Sequence, residues 1–173
     1  MLIKSIKLIM RIGNYIKRII YTKKIKLQCK SFKEPLTVNY KSSVNCNTIL
    51  HSNVNFNGMV IKGAGKVEIG SNFHSGEHCL MITQIHNYDT GAAIPYDDTY
   101  ITKDIYIEDN VWLGDRVVLL GGIIIGEGAI IQAGSVVTSN IPKYAIAGGH
   151  PAKVFKYRDI VHYKKLLKEK KFS

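Results

Sequence analysis

Cysteine, proline, acid at the two ends and long apolar runs are all scarce in this sequence of 173 residues. The three cysteines, Cys29, Cys46 and Cys79, are odd in number and far apart. That excludes a disulfide framework and fits the reducing cytoplasm. No Cys-x-x-Cys pair is present to suggest zinc. No apolar run reaches the roughly 18 residues that a membrane-spanning helix needs. Near the N-terminus, charges interrupt the apolar residues and no small-residue cleavage site follows, which argues against a secretory signal. Residues 1–33 hold ten Lys or Arg and no Asp or Glu. Residues 153–173 hold eight Lys or Arg and two acids, whereas residues 34–152 hold six against eleven. The net charge of +11 thus divides into +10, −5 and +6, with the positive charge at the two ends. Such ends fit anionic partners, phosphate groups or a membrane surface, or simply solvated helix faces. Nucleic acid is not indicated, because neither end shows a binding motif or an aromatic stacking array. A hydrophobic fraction of 46% fits one globular domain with a real core.

What is present is a period of six. Ile107, Leu113, Leu119, Ile125, Ile131 and Val137 follow one another at that spacing. Four positions after each stands another small or aliphatic residue: Val111, Val117, Ile123, Ala129, Ser135 and Ile141. Glycines at 122, 128 and 134 mark places where the chain can turn sharply. Each hexapeptide therefore reads as a short strand plus a corner, with its slot residue pointing inward. Three hexapeptides close one triangular coil, and stacked coils bury a continuous aliphatic column. The pattern recurs less regularly at Val44, Leu50, Phe56, then Ile69, Ser75, Met81, with one residue inserted near Gly63. A loop over residues 87–100 restores the register at Ile101, and roughly five coils result. The competing reading, an antiparallel β-sandwich, conflicts with strict spacing of six over residues 107–141.

The two ends have a different period. Ile6, Ile9, Gly13, Ile16 and Ile19 fall at helical spacing with Lys4, Lys7, Arg11, Lys17 and Arg18 interleaved. They predict a basic amphipathic helix within residues 1–33 that packs on the first coil or lies on a membrane surface. Residues 157–173 predict a C-terminal helix that caps the solenoid or reaches a neighbour. Between them, residues 34–156 form the β-helix domain.

The most specific stretches are Asn110-Val111-Trp112-Leu113-Gly114, Ile125-Gly126-Glu127-Gly128-Ala129-Ile130-Ile131 and Ala133-Gly134-Ser135-Val136-Val137-Thr138. Ile141-Pro142 and Gly148-Gly149-His150-Pro151-Ala152-Lys153-Val154 follow them. Together they resemble the hexapeptide-repeat acyltransferases of the maltose, galactoside and polysaccharide O-acetyltransferase type, over roughly residues 53–157. The resemblance implies an all-β, left-handed parallel β-helix. It implies homotrimers with acetyl-CoA as co-substrate in a groove between prisms, and a sugar or glycan acceptor. It also implies a histidine at the root of the excursion loop as catalytic base, here His86 in Ile85-His86-Asn87-Tyr88-Asp89. Asn55, Asp89 and Trp112 correspond to the acceptor side. Trp112, Gly114, Ala133, Thr138, Ser139, Lys153 and Lys156 fall to the coenzyme side, with Arg158 an alternative phosphate contact. Ser139 stands where the family often has Lys, so one phosphate contact departs from the pattern.

One histidine suffices for that chemistry. It titrates near neutrality, takes the proton of an attacking hydroxyl and returns it to the departing thiolate. A backbone N–H serves the tetrahedral oxyanion. No cysteine or serine stands in a nucleophile setting, so no acyl-enzyme is needed. The implied function is acetyl-CoA-dependent O-acetylation of a sugar hydroxyl in surface polysaccharide (O-antigen or capsule) biosynthesis. N-acetylation of an amino sugar or a small antibiotic is the alternative within the same chemistry. In another class stands a β-helix that is non-catalytic or metal-dependent, like the carbonic anhydrases of this fold. His74 and His78 would be its metal ligands, but their spacing does not reproduce that site, and no metal is expected.

Overall fold

The computed structural model describes residues 2–172, with side chains from residue 6 onward. Between two helices the backbone turns a corner about every six residues, and its strands fall into three parallel faces. Face A contains Ser31–Phe32, Thr48–Leu50, Val67–Ile69, Ile105–Ile107 and Ile123–Ile125. Face B contains Leu36–Tyr40, Val54–Asn57, His74–Glu77, Trp112–Leu113, Ile130–Ile131 and Ala145–Gly149. Face C contains Val60–Lys62, Leu80–Ile82, Val118–Leu120 and Val136–Val137. The chain visits A, B and C in that order, making a parallel β-solenoid of about six turns. The count exceeds the expected five because residues 31–43 already form a first coil, whose strands pair with those of the second.

The slot residues stack as the period requires. Leu50, Ile69, Ile107 and Ile125 lie in register on face A. Ser75, Leu113 and Ile131 do so on face B, and Ile61, Met81, Leu119 and Val137 on face C. All are buried. Each fully buried aliphatic side chain contributes about 1.5–3 kcal/mol, so the column dominates the stability of the prism.

The corner between faces A and B carries a second column. Asn53, Asn72 and Asn110 all adopt left-handed backbone, with φ of 58°, 55° and 61°. Asparagine tolerates that region better than other side chains. Asn53 Nδ2 donates to Asn72 Oδ1 at 3.0 Å, and Asn72 Nδ2 to Asn110 Oδ1 at 2.9 Å. In the next coil Gly128 takes the corner, with φ 68°, and the ladder is finished from outside. Asn110 Nδ2 donates to the Tyr163 hydroxyl at 2.9 Å, which donates to Glu127 Oε1 at 3.1 Å. Tyr163 belongs to helix α2, Ile160–Lys168, whose N-cap Asp159 accepts from the His162 N–H at 2.9 Å. Through Tyr163 the helix packs against this corner.

Helix α1, Leu2–Gln28, closes the opposite end only with its last turns. Ile25 is fully buried in the core cluster, with Tyr21 packed beside it. The Val38 and Val44 N–H groups, on the open edge of the first coil, donate to Thr22 Oγ1 (3.0 Å) and Gln28 Oε1 (3.4 Å). The helix thus satisfies an edge that would otherwise be unpaired. Residues 6–20 are exposed on every side, apart from a half-buried Gly13.

At the corner between faces C and A the third coil opens. Strands Gln84–His86 and Tyr100–Thr102 form an antiparallel hairpin, with Ile85 opposite Ile101. Ile101 therefore sits on the hairpin, not in the core column, which resumes at the buried Ile105.

Candidate active site

The hairpin sets His86 by local pairing: it lies opposite Tyr100, and the Asn87 N–H donates to the Thr99 carbonyl at 3.0 Å. The Tyr96 ring stacks on the imidazole, centroids 3.8 Å apart and planes at 19°, and Tyr100 tilts against it at 4.6 Å. Nδ1 of His86 is buried and has no hydrogen-bond partner, so Asp89, exposed in the loop, does not reach it. Nε2 is left as the ring nitrogen that can meet a substrate.

The loop beyond is organised by two polar side chains. Asn87 Oδ1 accepts from the Thr90 N–H and hydroxyl at 3.2 and 3.0 Å. Asp97 accepts from the Ala92 N–H at 2.7 Å, the Thr99 N–H at 2.8 Å and the Thr99 hydroxyl at 2.5 Å. These donors, the Thr99 hydroxyl first, hold the Asp97 carboxyl down at about 2.

The other expected residues occupy separate parts of the prism. In register across the outside of face B stand Asn55, His74, Trp112, Ile130, Ile146 and Lys156. Trp112 is 53% exposed. Gly114 and Ala133 stack at the corner between B and C. A Cβ on Gly114 would stand 2.5 Å from the Ala133 nitrogen, so only glycine lets that corner close. Thr138 and Ser139 are exposed at the corner between C and A, two coils beyond the hairpin, roughly 10 Å along the axis. Lys153 pairs with Gly148 on the final antiparallel strand, Ala152–Tyr157.

In a triangular prism the corner between C and A lies opposite face B. One chain therefore sets His86 on the same edge as Thr138 and Ser139, and Trp112 on the same face as Asn55 and Lys156, and holds the two groups apart. Sequence reasoning missed Tyr96 and Tyr100, the walls of the His86 slot, although tyrosines on both sides of the loop were the available signal. It also missed a cleft of about 410 Å³ beside Trp112 and His74, which α2 walls with Leu166 and Leu167 and which Arg158, just before that helix, also lines.

Other chemistries have less to work with. The Cys79 thiol is pushed up to about 11 by burial and bonds the Gly114 carbonyl at 3.2 Å, so it is no thiolate nucleophile. His74 lies on face B and His78 at a corner with φ 57°. Among the described residues no three His, Cys, Asp or Glu side chains converge to hold a metal ion.

Residues 104–139 match the family model described as bacterial transferase hexapeptide (six repeats). The sequence matches no curated protein. Among solved structures, the chain is similar to a maltose O-acetyltransferase from Clostridium difficile 630. Identity is 27%, covering 76% of this chain and 67% of that one, with a TM-score of 0.54. A galactoside acetyltransferase in complex with coenzyme A is 24% identical over 76% of this chain and 66% of that one, TM-score 0.59. A mutant of AntD, an N-acyltransferase from Bacillus cereus, in complex with dTDP-4-amino-4,6-dideoxyglucose and coenzyme A shares 16% identity. It covers 84% of this chain and 94% of that one, TM-score 0.65. At these last two identities the likeness is one of fold.

Proposed function

Because the chain is a hexapeptide-repeat solenoid with a bacterial-transferase repeat at its centre, we propose that it is an acetyl-CoA-dependent acetyltransferase that modifies a sugar hydroxyl. The carrying observation is the aromatic slot that holds His86 where the hairpin leaves the prism. His86 Nε2 takes the proton of the acceptor hydroxyl as its oxygen attacks the thioester carbonyl. A backbone N–H steadies the tetrahedral oxyanion. The intermediate collapses by breaking the C–S bond, and His86 passes its proton to the leaving thiolate of coenzyme A.

In this reading the site is completed between copies of a homotrimer. The C–A corner of one chain supplies His86 and Asp89 at the acceptor, with Thr138 and Ser139 along the pantetheine. Face B of its neighbour supplies Asn55 and Trp112, with Lys156 and Lys153 toward the phosphates. Gly114 and Ala133 shape the groove wall. The acceptor belongs to surface polysaccharide biosynthesis, and the reaction runs in the cytoplasm, where acetyl-CoA is made.

The experiment is transfer with acetyl-CoA and a panel of sugar acceptors, read as coenzyme A release. The His86→Ala chain should lose about 10²–10⁴-fold in rate, and undiminished transfer overturns the assignment. A second reading, N-acetylation of an amino sugar, is favoured by the likeness to the N-acyltransferase bound to an amino sugar. Hydroxyl and amino acceptors in the same panel separate the two.

A further inference from the structure

Helix α1 does two different jobs along its length. Its last turns seal the first coil, but residues 6–20 touch no other part of the chain that would bury them. Lys7, Arg11, Asn14 and Arg18 are spaced to share one side of the helix, and Thr22 and Ile25 continue that side. Since Ile25 is buried against the first coil, this is the side turned toward the solenoid. Ile6, Ile9, Gly13, Ile16 and Ile20 occupy the opposite side, and Leu27, 79% exposed, continues it. Leu8, Met10, Ile12 and Ile19 widen that apolar side, and all four are exposed. Lys17, Lys23 and Lys24 interrupt that side in the C-terminal half of the helix. Over residues 6–20 the apolar stripe therefore faces away from the protein, and the body of the molecule does not obstruct it.

We infer that α1 docks flat on an anionic lipid bilayer, apolar stripe inward, with the prism standing on the water side. Charge selects this occupant over a second copy. Residues 1–33 carry ten cations and no acid, so a second such helix adds only like charge. Glu34 is already paired with Lys26 of the helix itself. A bilayer with anionic headgroups takes both features at once. Apolar side chains enter the acyl boundary while Lys17, Lys23 and Lys24 on the same side extend their stems to reach phosphate. The inference rests on the helix and not on the transferase reading. It would set the third coil, with His86, roughly 20 Å from the surface.

The test is co-sedimentation of the full chain with vesicles of phosphatidylcholine, with and without phosphatidylglycerol. The chain should bind the anionic vesicles at least tenfold more strongly, and added salt should weaken binding. An Ile9→Asp, Ile16→Asp double variant and a chain lacking residues 1–19 should both lose binding. The urea unfolding midpoint and the oligomeric state should be unchanged, because Tyr21, Thr22 and Ile25 remain. Equal binding to neutral vesicles, binding by the shortened chain, or no binding at all overturns the inference. Dissociation of an oligomer on removing residues 1–19, with no vesicle binding by the full chain, would assign the stripe to a second copy instead.

Discussion

At the corner between faces A and B the chain repeats itself, and at the corner between C and A it departs. The first is a ladder of Asn53, Asn72 and Asn110 that Tyr163 completes. The second is held partly by glycine, Gly63 and Gly122 with φ of 92° and 89°, and it releases a hairpin with His86 at its root. Side-chain amides bonded coil to coil leave the A–B corner no freedom to open. At the C–A corner side chains bond backbone groups of the next coil instead: Asn45 Nδ2 donates to the Gly63 carbonyl at 2.8 Å, and Thr83 Oγ1 accepts from the Gly65 N–H at 3.1 Å. Between Thr83 and Lys103 the hairpin leaves this corner without disturbing the core. In the proposed reading, the side-chain ladder and the reacting histidine occupy different edges of one prism.

The largest effect expected from breaking this division is on catalysis: His86→Ala should cost the rate loss given above while leaving the unfolding transition in place. The ladder should respond in reverse. Asn72→Ala removes two ladder bonds and forces alanine into left-handed backbone, so it should destabilise by about 2–4 kcal/mol. Asn72→Gly relieves the backbone term and should cost about half as much; urea unfolding distinguishes the two. If both variants lose the same stability, backbone conformation is not what selects asparagine. Smaller again, Tyr163→Phe leaves Asn110 and Glu127 without their shared partner. It should cost about 1–2 kcal/mol, read in the same experiment, with acetyl transfer unchanged.

How much of this was legible follows from what each side chain does. Slot residues such as Leu113 and Leu119 announce the solenoid because burial demands aliphatic side chains at a fixed interval. The ladder was not legible, because Asn53, Asn72 and Asn110 look like ordinary loop polarity until their backbone angles are known. His86 could be placed at a loop root, but not its slot. The stacking of Tyr96 depends on a hairpin whose pairing no periodicity encodes. Nor could the sequence reveal that Trp112 and His86 lie on opposite sides of the prism, since that follows from the order of the faces around the axis. For α1, helical spacing announced the stripe, whereas the side it turns to the solenoid became visible only through Ile25.

The mildest expected effect sharpens the description of the hairpin itself. Asp97 titrates low in the folded chain, so the order it imposes on the loop is fully present above the ordinary aspartate range of about 4. That order should be lost as pH falls toward about 2. The amide resonances of Ala92 and Thr99 should follow that titration, while amides of the ladder corner should not.

Where the hairpin begins and ends, the Lys103 N–H donates to the Thr83 carbonyl at 2.8 Å. The prism is already closed beneath the excursion, so the segment beyond Gln84, whose Oε1 is tied to the Ala64 N–H at 3.0 Å, can be exchanged as a cassette. If the proposed site is right in placing the acceptor there, a different hairpin spliced in at the same seam gives a new acceptor preference to an unaltered scaffold. A residue added inside a strand would turn the inward column out to solvent, whereas the corner at Gly63 already absorbs one extra residue and leaves Leu50 and Ile69 in register.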